Sequence, residues 1–359
     1  FVVRFQTADG EPVQGPVDIR HVRHEFHFGA PFSSNAAFRN LLNMGRMNPH
    51  WRNLQAAEDG PYGRYRWEHY DRMLKAAHEL DIAMRWHCLI YEQWGSPAWI
   101  DCQYAGKSWW NDIPTTEDQW WTLIERHIRT IAQHPHPVTG EPIGDLLEFD
   151  VINETGSKMW ANIHLEEAGK PATFPSAHNR HPQGNANAAK IISLARKYLP
   201  NARLVVLEGW PIGDLESGSA KRIHGHFSKL FDRDSTNPQV RQVARDERVL
   251  LGTQGHFSAI DRSKITMDRI NAGFEHFAKF GKQIVVTEYD PPTVMRERKD
   301  LYRFRLTPEE QAAWSVNFHT LAFSKPYIRQ ISRWAMSDRQ GQKVDAGLLF
   351  ADGRRKPEY

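Results

Sequence analysis

The sequence predicts a single (β/α)8 barrel, and three observations support this prediction. Short apolar and β-branched runs alternate with amphipathic stretches, which is the order expected for a parallel sheet covered by helices. The length of 359 residues fits one α/β barrel. No change of composition, internal repeat or low-complexity segment marks a second domain.

Seven stretches have the composition of buried strands. They are residues 26–31, 82–89, 146–152, 203–207, 249–253, 283–287 and 328–334. A barrel needs an eighth strand, which we expect between residues 38 and 55, where the pattern does not define its ends. The stretch 38–55 would then supply the second strand in chain order.

Helices are predicted between these strands from apolar spacing and end signals. They cover residues 67–80, 116–133, 185–198 and 266–280, and a further helix begins at residue 307. Apolar residues recur at helical spacing from Tyr70 to Leu80. Thr116 begins a capping sequence, and Pro308 occupies a first helical turn.

The start of the chain is predicted to lie outside the barrel. Residues 1–22 have the pattern of a β-hairpin with a Gly-rich turn, a short N-terminal β extension that leans on the barrel of residues 23–359. Because the chain begins at Phe1 rather than Met, a trimmed leader or preceding domain is consistent with it.

Composition excludes several classes of protein. Hydrophobic residues make up 40% and charged residues 25%, as in a packed soluble domain. A net charge of +3 is too balanced to indicate nucleic-acid binding. No apolar run approaches the roughly 20 residues that span a bilayer. Cys88 and Cys102 are either bridged or two buried thiols, and the sequence leaves both alternatives open.

Two predicted strands end on a glutamate. The stretch FDVINETGSKMW, residues 149–160, passes from apolar residues to Asn153 and Glu154 and then to a turn. The stretch KQIVVTEYDPP has the same order around Glu288. Since catalytic groups of such barrels lie at the carboxyl ends of the strands, we expect the two carboxylates to face each other across the mouth.

Paired carboxylates are what glycoside hydrolysis requires. One must be protonated to assist the leaving oxygen, and the other must be ionised to attack the anomeric carbon or to activate water. Mutual repulsion raises one pKa and leaves the other low. Asn153 is placed to bind a sugar hydroxyl. A single glutamate at a strand end is more often a solvated residue or a salt-bridge partner, so the prediction depends on the pair.

Two other classes of function compete with this reading. A non-catalytic sugar-binding barrel would use the 13 Trp residues, whose faces stack on sugars but also fill cores. A metal-dependent hydrolase is suggested by 18 His residues, several of them closely spaced. Those histidines lie before the first strand or in turns, so solvated or capping roles explain them better, and we expect no metal and no cofactor.

Several segments resemble glycoside hydrolase family 10, the xylanase family, and they occur in that family's order over most of the chain. The segments are EFHFGAPF, EDGPYGRYRWEHYDRML, RWHCLIY, FDVINE, GTQGHF, IVVTEYD, RWAMSD and LLFADGRRKPEY. FDVINE resembles the family's Trp-Asp-Val-Val-Asn-Glu, and IVVTEYD resembles Ile-Thr-Glu-Leu-Asp. The resemblance implies a TIM barrel with Glu154 as acid/base after strand four and Glu288 as nucleophile after strand seven.

The resemblance also implies substrate contacts. They are His87, Asn153, Gln254 and His256 at the subsite of bond cleavage, Trp334 as an aromatic wall, and Tyr91 where the family usually has Trp. The chain departs from the family after strand two, where only Trp51 loosely replaces a Lys-Trp pair, and after strand five, where LEGW ends on Trp210. Trp109 and Trp110 are either a stacking platform or loop packing.

The function implied is that of a retaining, endo-β-1,4-xylanase-like hydrolase acting by double displacement. The alternatives are another β-linked glycan, branched or anionic, and the sugar-binding barrel. The expected partner is a polysaccharide or oligosaccharide, with neither nucleic acid nor membrane. We expect a secreted or periplasmic protein because polymers do not enter cells. The sequence does not determine the oligomeric state.

Overall fold

The computed structural model describes residues 6–13, 15, 25–33, 41–100, 106–156, 160–209, 212–257, 265–292, 306–338 and 345–359. Eight parallel strands follow one another around a closed barrel, and the last pairs with the first. The strands are β1 (His27–Pro31), β2 (Met44–Met47), β3 (Ala83–Ile90), β4 (Leu147–Asn153), β5 (Arg203–Glu208), β6 (Val249–Thr253), β7 (Ile284–Tyr289) and β8 (Ile328–Arg333). The predicted (β/α)8 barrel is confirmed.

Helices connect the strands on the outside of the barrel. Those in the described residues are α1 (Trp51–Leu54), α2 (Glu68–Glu79), α3 (Glu117–Ala132), α4 (Trp160–Glu167), α5 (Gly184–Tyr198), α6 (Gly218–Leu230), α7 (Pro238–Arg245), α8 (Met267–Ala278) and α9 (Pro308–Phe323). In this part of the chain no helix is both long and apolar enough to cross a membrane.

The predicted element ends lie within two residues of the observed ones wherever both ends were predicted. The eighth strand is β2, whose four residues are all buried. Gly45 and Arg46 interrupt its apolar character, so the sequence pattern did not reveal it. Helices α1, α4, α6 and α7 were not predicted. Gly218 and Gly225 weaken the periodicity of α6, although Ser217 caps it by accepting from the amide of Ala220.

Little of the predicted N-terminal hairpin lies in the described residues. Gln6 forms an antiparallel bridge with Pro12, and the amide of Thr7 donates to the carbonyl of Glu11 at 2.8 Å. The extension over residues 1–22 therefore stays a prediction. Cys88 is a buried, free thiol, whereas Cys102 lies outside the described residues.

The two faces of the strands have different chemistry. Trp86 of β3 and Phe149 of β4 belong to the large hydrophobic core, together with residues of the surrounding helices. Their chain neighbours Arg85 and Asp150 alternate with them and face the barrel interior, because side chains along a strand alternate in direction. Both are fully buried, and they form an ion pair with each other. This polar interior lies beneath the side chains at the carboxyl ends of the strands.

Candidate active site

Glu154 stands at the end of β4 in an unusual backbone conformation. Its φ of 56° lies in the left-handed region, which is uncommon for a residue other than glycine and often marks a functional site. The amide of Glu154 donates to the carbonyl of Leu207 in β5 at 2.9 Å. The chain therefore leaves the sheet directly after this hydrogen bond, and Glu154 is the residue at which it turns.

Gln254 joins Glu154 to Glu288. Its side-chain Nε2 donates to Glu154 Oε1 at 2.6 Å, and its carbonyl accepts from the amide of Glu288 at 2.8 Å. Tyr91 donates to the other oxygen of Glu154, Oε2, at 2.8 Å. The two glutamates thus lie at the same end of the barrel, connected through one residue that follows β6.

Glu288 is surrounded by basic side chains. His256 Nε2 lies 2.9 Å from Glu288 Oε2, and His87 Nε2 lies 3.4 Å from Oε1. Burial favours the neutral acid and would raise the pKa of Glu288. The hydrogen bond from His256 and the charges of His87, His256 and Arg46 outweigh burial, so the pKa is held well below its ordinary value. Glu288 is therefore ionised throughout the physiological pH range.

Both histidines are held in place by buried aspartates. His87 Nδ1 lies 2.7 Å from Asp150 Oδ2, and His256 Nδ1 lies 3.0 Å from Asp290 Oδ2. Burial would raise the pKa of Asp150, but the charge of Arg85 and the contact with His87 lower it. These carboxylates fix the ring orientations, so that the Nε2 atoms face Glu288.

Glu208, at the end of β5, holds the turn that follows Glu154. It accepts from the amides of Thr155 at 2.8 Å and Gly156 at 3.3 Å, and from the Thr155 hydroxyl. The side chain is buried, and burial raises its pKa to about 7, although these hydrogen bonds oppose the rise. Glu208 supports the backbone that presents Glu154, a role that sequence reasoning missed.

A polar cavity of about 240 Å³ lies beside Glu154. Glu154, Gly156, Glu208, Ser219, Arg222 and Gln254 are among the residues that line it. The cavity is bordered by the ends of β4 and β5, the residue after β6 and the first turns of α6. Most of its surface is polar, so it offers hydrogen-bond donors and acceptors to hydroxyl groups.

The structure brings most of the predicted site residues together. They are His87, Tyr91, Asn153, Glu154, Gln254, His256, Glu288 and Trp334. Asn153 is buried beside Glu154, and its Oδ1 has no hydrogen-bond partner among the described residues. The ring of Trp334 stands edge-on to His256, with 5.3 Å between the ring centroids. Trp210 lies outside the described residues.

Trp51 does not belong to this group. Its side chain is in the hydrophobic core, with 2% of the residue exposed. The indole stacks on His127 with 4.1 Å between centroids, and its Nε1 donates to Gln55. One face and the polar edge of the indole are engaged within the core, so this placement argues against the sugar contact that we predicted for Trp51.

The tryptophans of the loop before α3 make contacts with other parts of the chain. Trp109 Nε1 donates to the carbonyl of Glu58 at 2.7 Å, and its ring packs against the core. The ammonium of Lys170 lies 5.3 Å from the centroid of Trp110. For Trp109 these contacts favour loop packing over a stacking platform.

Sequence reasoning also missed two basic residues near Glu288. Arg46 of β2 has its guanidinium 4.3 Å from the centroid of the Trp334 ring. His50 has its ring 5.3 Å from that of His87, and burial, followed by the charge of His87, lowers its pKa to about 3. His50 is therefore neutral. Both residues lie in or just after the strand that the sequence pattern did not locate.

The closely spaced histidines suggested a metal-binding alternative. Among the residues that the structure describes, no group of three or more His, Cys, Asp or Glu side chains could hold a metal ion. His134 instead stacks on Trp67, with 3.7 Å between centroids, and contacts Asp71 at 2.7 Å.

Comparison with known proteins identifies the family. The model of glycosyl hydrolase family 10 matches residues 40–359. The chain belongs to glycosyl hydrolase family 10. It is accordingly a glycoside hydrolase, an enzyme that acts on O-glycosyl bonds, and the predicted family and enzyme class are confirmed. No curated protein sequence matches the chain at a significant level.

Solved xylanases share the fold at low sequence identity. Xylanase 10B from Thermotoga petrophila RKU-1, solved with xylobiose, has 18% identity and a TM-score of 0.65, with 96% of each chain covered. Xylanase 10B from Thermotoga maritima has 18% identity and a TM-score of 0.63, with 93% of each chain covered. An endo-1,4-beta-xylanase from Caldicellulosiruptor owensensis has 16% identity and a TM-score of 0.65, covering 93% of this chain and 95% of its own. This family-10 chain is thus a divergent member.

Proposed function

We propose that this enzyme cleaves β-glycosidic bonds of a polysaccharide with retention of configuration, with Glu288 as nucleophile and Glu154 as acid/base. The observation that carries the proposal is the contrast between the two carboxylates. Glu288 lies among basic groups that keep it ionised, whereas Glu154 accepts from a phenol and an amide, Tyr91 and Gln254. One group suits attack, and the other suits gain and loss of a proton.

The first step forms a glycosyl–enzyme. Glu288 Oε1 accepts no hydrogen bond among the described residues, with His87 Nε2 3.4 Å away, and it is the oxygen that we assign to attack on the anomeric carbon. As the new C–O bond to Glu288 forms, the glycosidic C–O bond breaks, and the proton of Glu154 passes to the leaving oxygen. His256, hydrogen-bonded to Oε2, orients the attacking carboxylate.

The second step releases the sugar. Glu154, now ionised, takes a proton from water while the water oxygen attacks the anomeric carbon. The bond to Glu288 breaks, and its carboxylate is restored. Two inversions at the same carbon give retention. Tyr91 and Gln254 donate to the ionised Glu154 and stabilise it between the two steps, because hydrogen bonds to a charged group favour the charged form.

The leaving unit would occupy the cavity beside Glu154. The acid must reach the oxygen that joins the two sugar units, so the unit released lies on the side of Glu154, and the unit attacked lies on the side of Glu288. Glu208 and Arg222 line this cavity, and Glu208 belongs to the segment LEGW, where the sequence departs from the family.

β-1,4-Xylan is the leading substrate. The solved structures reported above are xylanases, and one of them was solved with xylobiose. The departures from the family after β2 and β5 make another β-linked glycan, branched or anionic, the alternative. Since either polymer stays outside cells, the proposal includes a secreted or periplasmic location.

A substrate panel tests the reaction. Purified enzyme is incubated with plant, algal and microbial β-glycans, and released reducing ends and product sizes are measured. Xylan or a related β-glycan should be shortened, and Glu288→Ala should lose nearly all turnover. Binding of a glycan without release of reducing ends would instead support a sugar-binding barrel and overturn the proposal.

The role of Glu154 is tested with aryl glycosides. Glu154→Ala should retain activity on substrates with good leaving groups, such as dinitrophenolate, since these need little protonation. The loss should grow as the pKa of the leaving group rises. Equal losses across the series would contradict the acid role.

A further inference from the structure

Arg46 has an unusual position for a charged side chain. It lies in β2 with 3% of the residue exposed, as deeply buried as Glu288. Its Nη2 donates to the carbonyl of Trp334 at 3.2 Å, but Nε and Nη1 have no hydrogen-bond partner among the described residues. Burial lowers the pKa of Arg46 to about 10 while Glu288 opposes this effect, so the guanidinium remains charged.

Unpartnered donors of this kind are costly. A buried N–H group without an acceptor loses its hydrogen bonds to water and gains none in return, and groups of this kind are rare in folded proteins. The neighbouring Arg85 shows the usual solution, because its guanidinium is fully engaged by Asp150 and by the carbonyl of Thr287. The two residues are paired in register on adjacent strands, yet only Arg46 keeps free donors.

The position of Arg46 decides which part of a substrate it could meet. Trp334 follows β8, and its ring covers the guanidinium at 4.3 Å. Arg46 also acts electrostatically on Glu288 and on His50. None of these neighbours lines the cavity beside Glu154. The sugar unit attacked by Glu288 would therefore lie next to Arg46.

We infer that Arg46 is a substrate-contacting residue whose free N–H groups donate to a neutral hydroxyl oxygen of the sugar unit attacked by Glu288. This inference rests on the proposed function. A neutral acceptor fits better than a carboxylate because Glu288 already offsets the charge of Arg46. A second anion close to the nucleophile would oppose the ionised Glu288 in a buried setting.

A substrate-side double-mutant cycle tests the contact. The enzyme forms are wild type and Arg46→Lys, and the substrates are 4-nitrophenyl β-xylobioside and analogues that lack one hydroxyl of the unit bearing the nitrophenyl group. Arg46→Lys keeps the charge but removes Nε and Nη1. It should lower kcat/KM for the parent substrate by about 10- to 100-fold. In wild type, deleting the contacted hydroxyl should lower kcat/KM by about tenfold or more. In the variant, the same deletion should lower kcat/KM by less than about twofold.

The pH profile separates contact from electrostatics. Because lysine preserves the positive charge near Glu288, the acid limb of kcat/KM should stay in place in Arg46→Lys. If Arg46 acted only by the effect of its positive charge on Glu288, Arg46→Lys would keep the wild-type kcat/KM. That result would overturn the inference. Arg66→Lys is the matched control, since Arg66 is exposed and pairs with Glu58 at the surface. It should leave all values unchanged.

Three further results would overturn the inference. One is the absence of coupling for every deoxy analogue. If Arg46→Lys does not fold, the same cycle is measured with Arg46→Gln. Another is faster turnover of 4-nitrophenyl β-glucuronide than of the β-glucoside, which would indicate an anion site. If wild type hydrolyses no β-glycan, the proposed function fails together with this inference. If wild type is active without coupling, only this inference fails.

Discussion

Glu148 provides a quantitative test of the buried charges in the barrel. It lies on β4, two residues before Asp150, and the side chain is buried with both carboxyl oxygens lacking a hydrogen-bond partner among the described residues. Burial raises its pKa from 4.5 to about 7, with Arg85 opposing and Asp150 adding to the rise. The perturbation is Glu148→Gln, which keeps the shape and removes the titration.

The size of the effect follows from the shift in pKa. Between pH 4.5 and about 7 the folded protein holds a proton that the unfolded chain has released, so stability falls as the pH rises through this range. Each pH unit of difference corresponds to about 1.4 kcal/mol. The carboxyl group therefore costs the folded state about 3 kcal/mol above pH 7 and little below pH 4.5. Glu148→Gln removes this dependence.

The measurement is urea unfolding followed by tryptophan fluorescence at pH 5 and pH 8. Relative to wild type, Glu148→Gln should gain about 2–3 kcal/mol more in the free energy of unfolding at pH 8 than at pH 5. Glu79→Gln, an exposed site at the end of α2, should change neither value. An equal difference between variant and wild type at the two pH values would refute the reasoning.

Three further predictions concern the site. Tyr91→Phe removes one of the two hydrogen bonds that hold the Glu154 carboxyl group, so kcat/KM should fall by about 2- to 10-fold; an unchanged kcat/KM in steady-state assays would count against this contact. His256→Asn removes the hydrogen bond that most lowers the pKa of Glu288, so the acid limb should move to higher pH, and an unchanged limb would show that other groups hold that pKa. Incubation with a chelator should leave xylan hydrolysis unchanged, and loss of activity restored by added metal would revive the metal-dependent alternative.

The sequence predicted the parts of the site that depend on local pattern and chain order. Buried strands have apolar runs, and a parallel barrel brings their carboxyl ends to one edge, so Glu154 and Glu288 could be placed before any coordinates were known. Gln254, His256 and Trp334 were assigned from the resemblance to family 10, and the structure places them around the two glutamates. For the two glutamates, position along the chain was sufficient.

The tertiary structure decided the roles of residues whose partners are distant in sequence. Arg46 lies in a strand of four residues without an apolar run, and its importance comes from Glu288 and Trp334, which only closure of the barrel brings near. Glu208 appeared as one acidic residue in a divergent segment until the turn after Glu154 was seen to donate to it. Trp51 was predicted as a loose replacement for the family's Lys-Trp pair, but its packing partner His127 comes from α3.

The physical reason for this division lies in the range of the forces. Strand and helix patterns record which side chains avoid water, a property that each segment expresses by itself. Hydrogen bonds and charge pairs depend on distances of a few ångströms between atoms from separate strands. Those distances are set by the register and closure of the barrel.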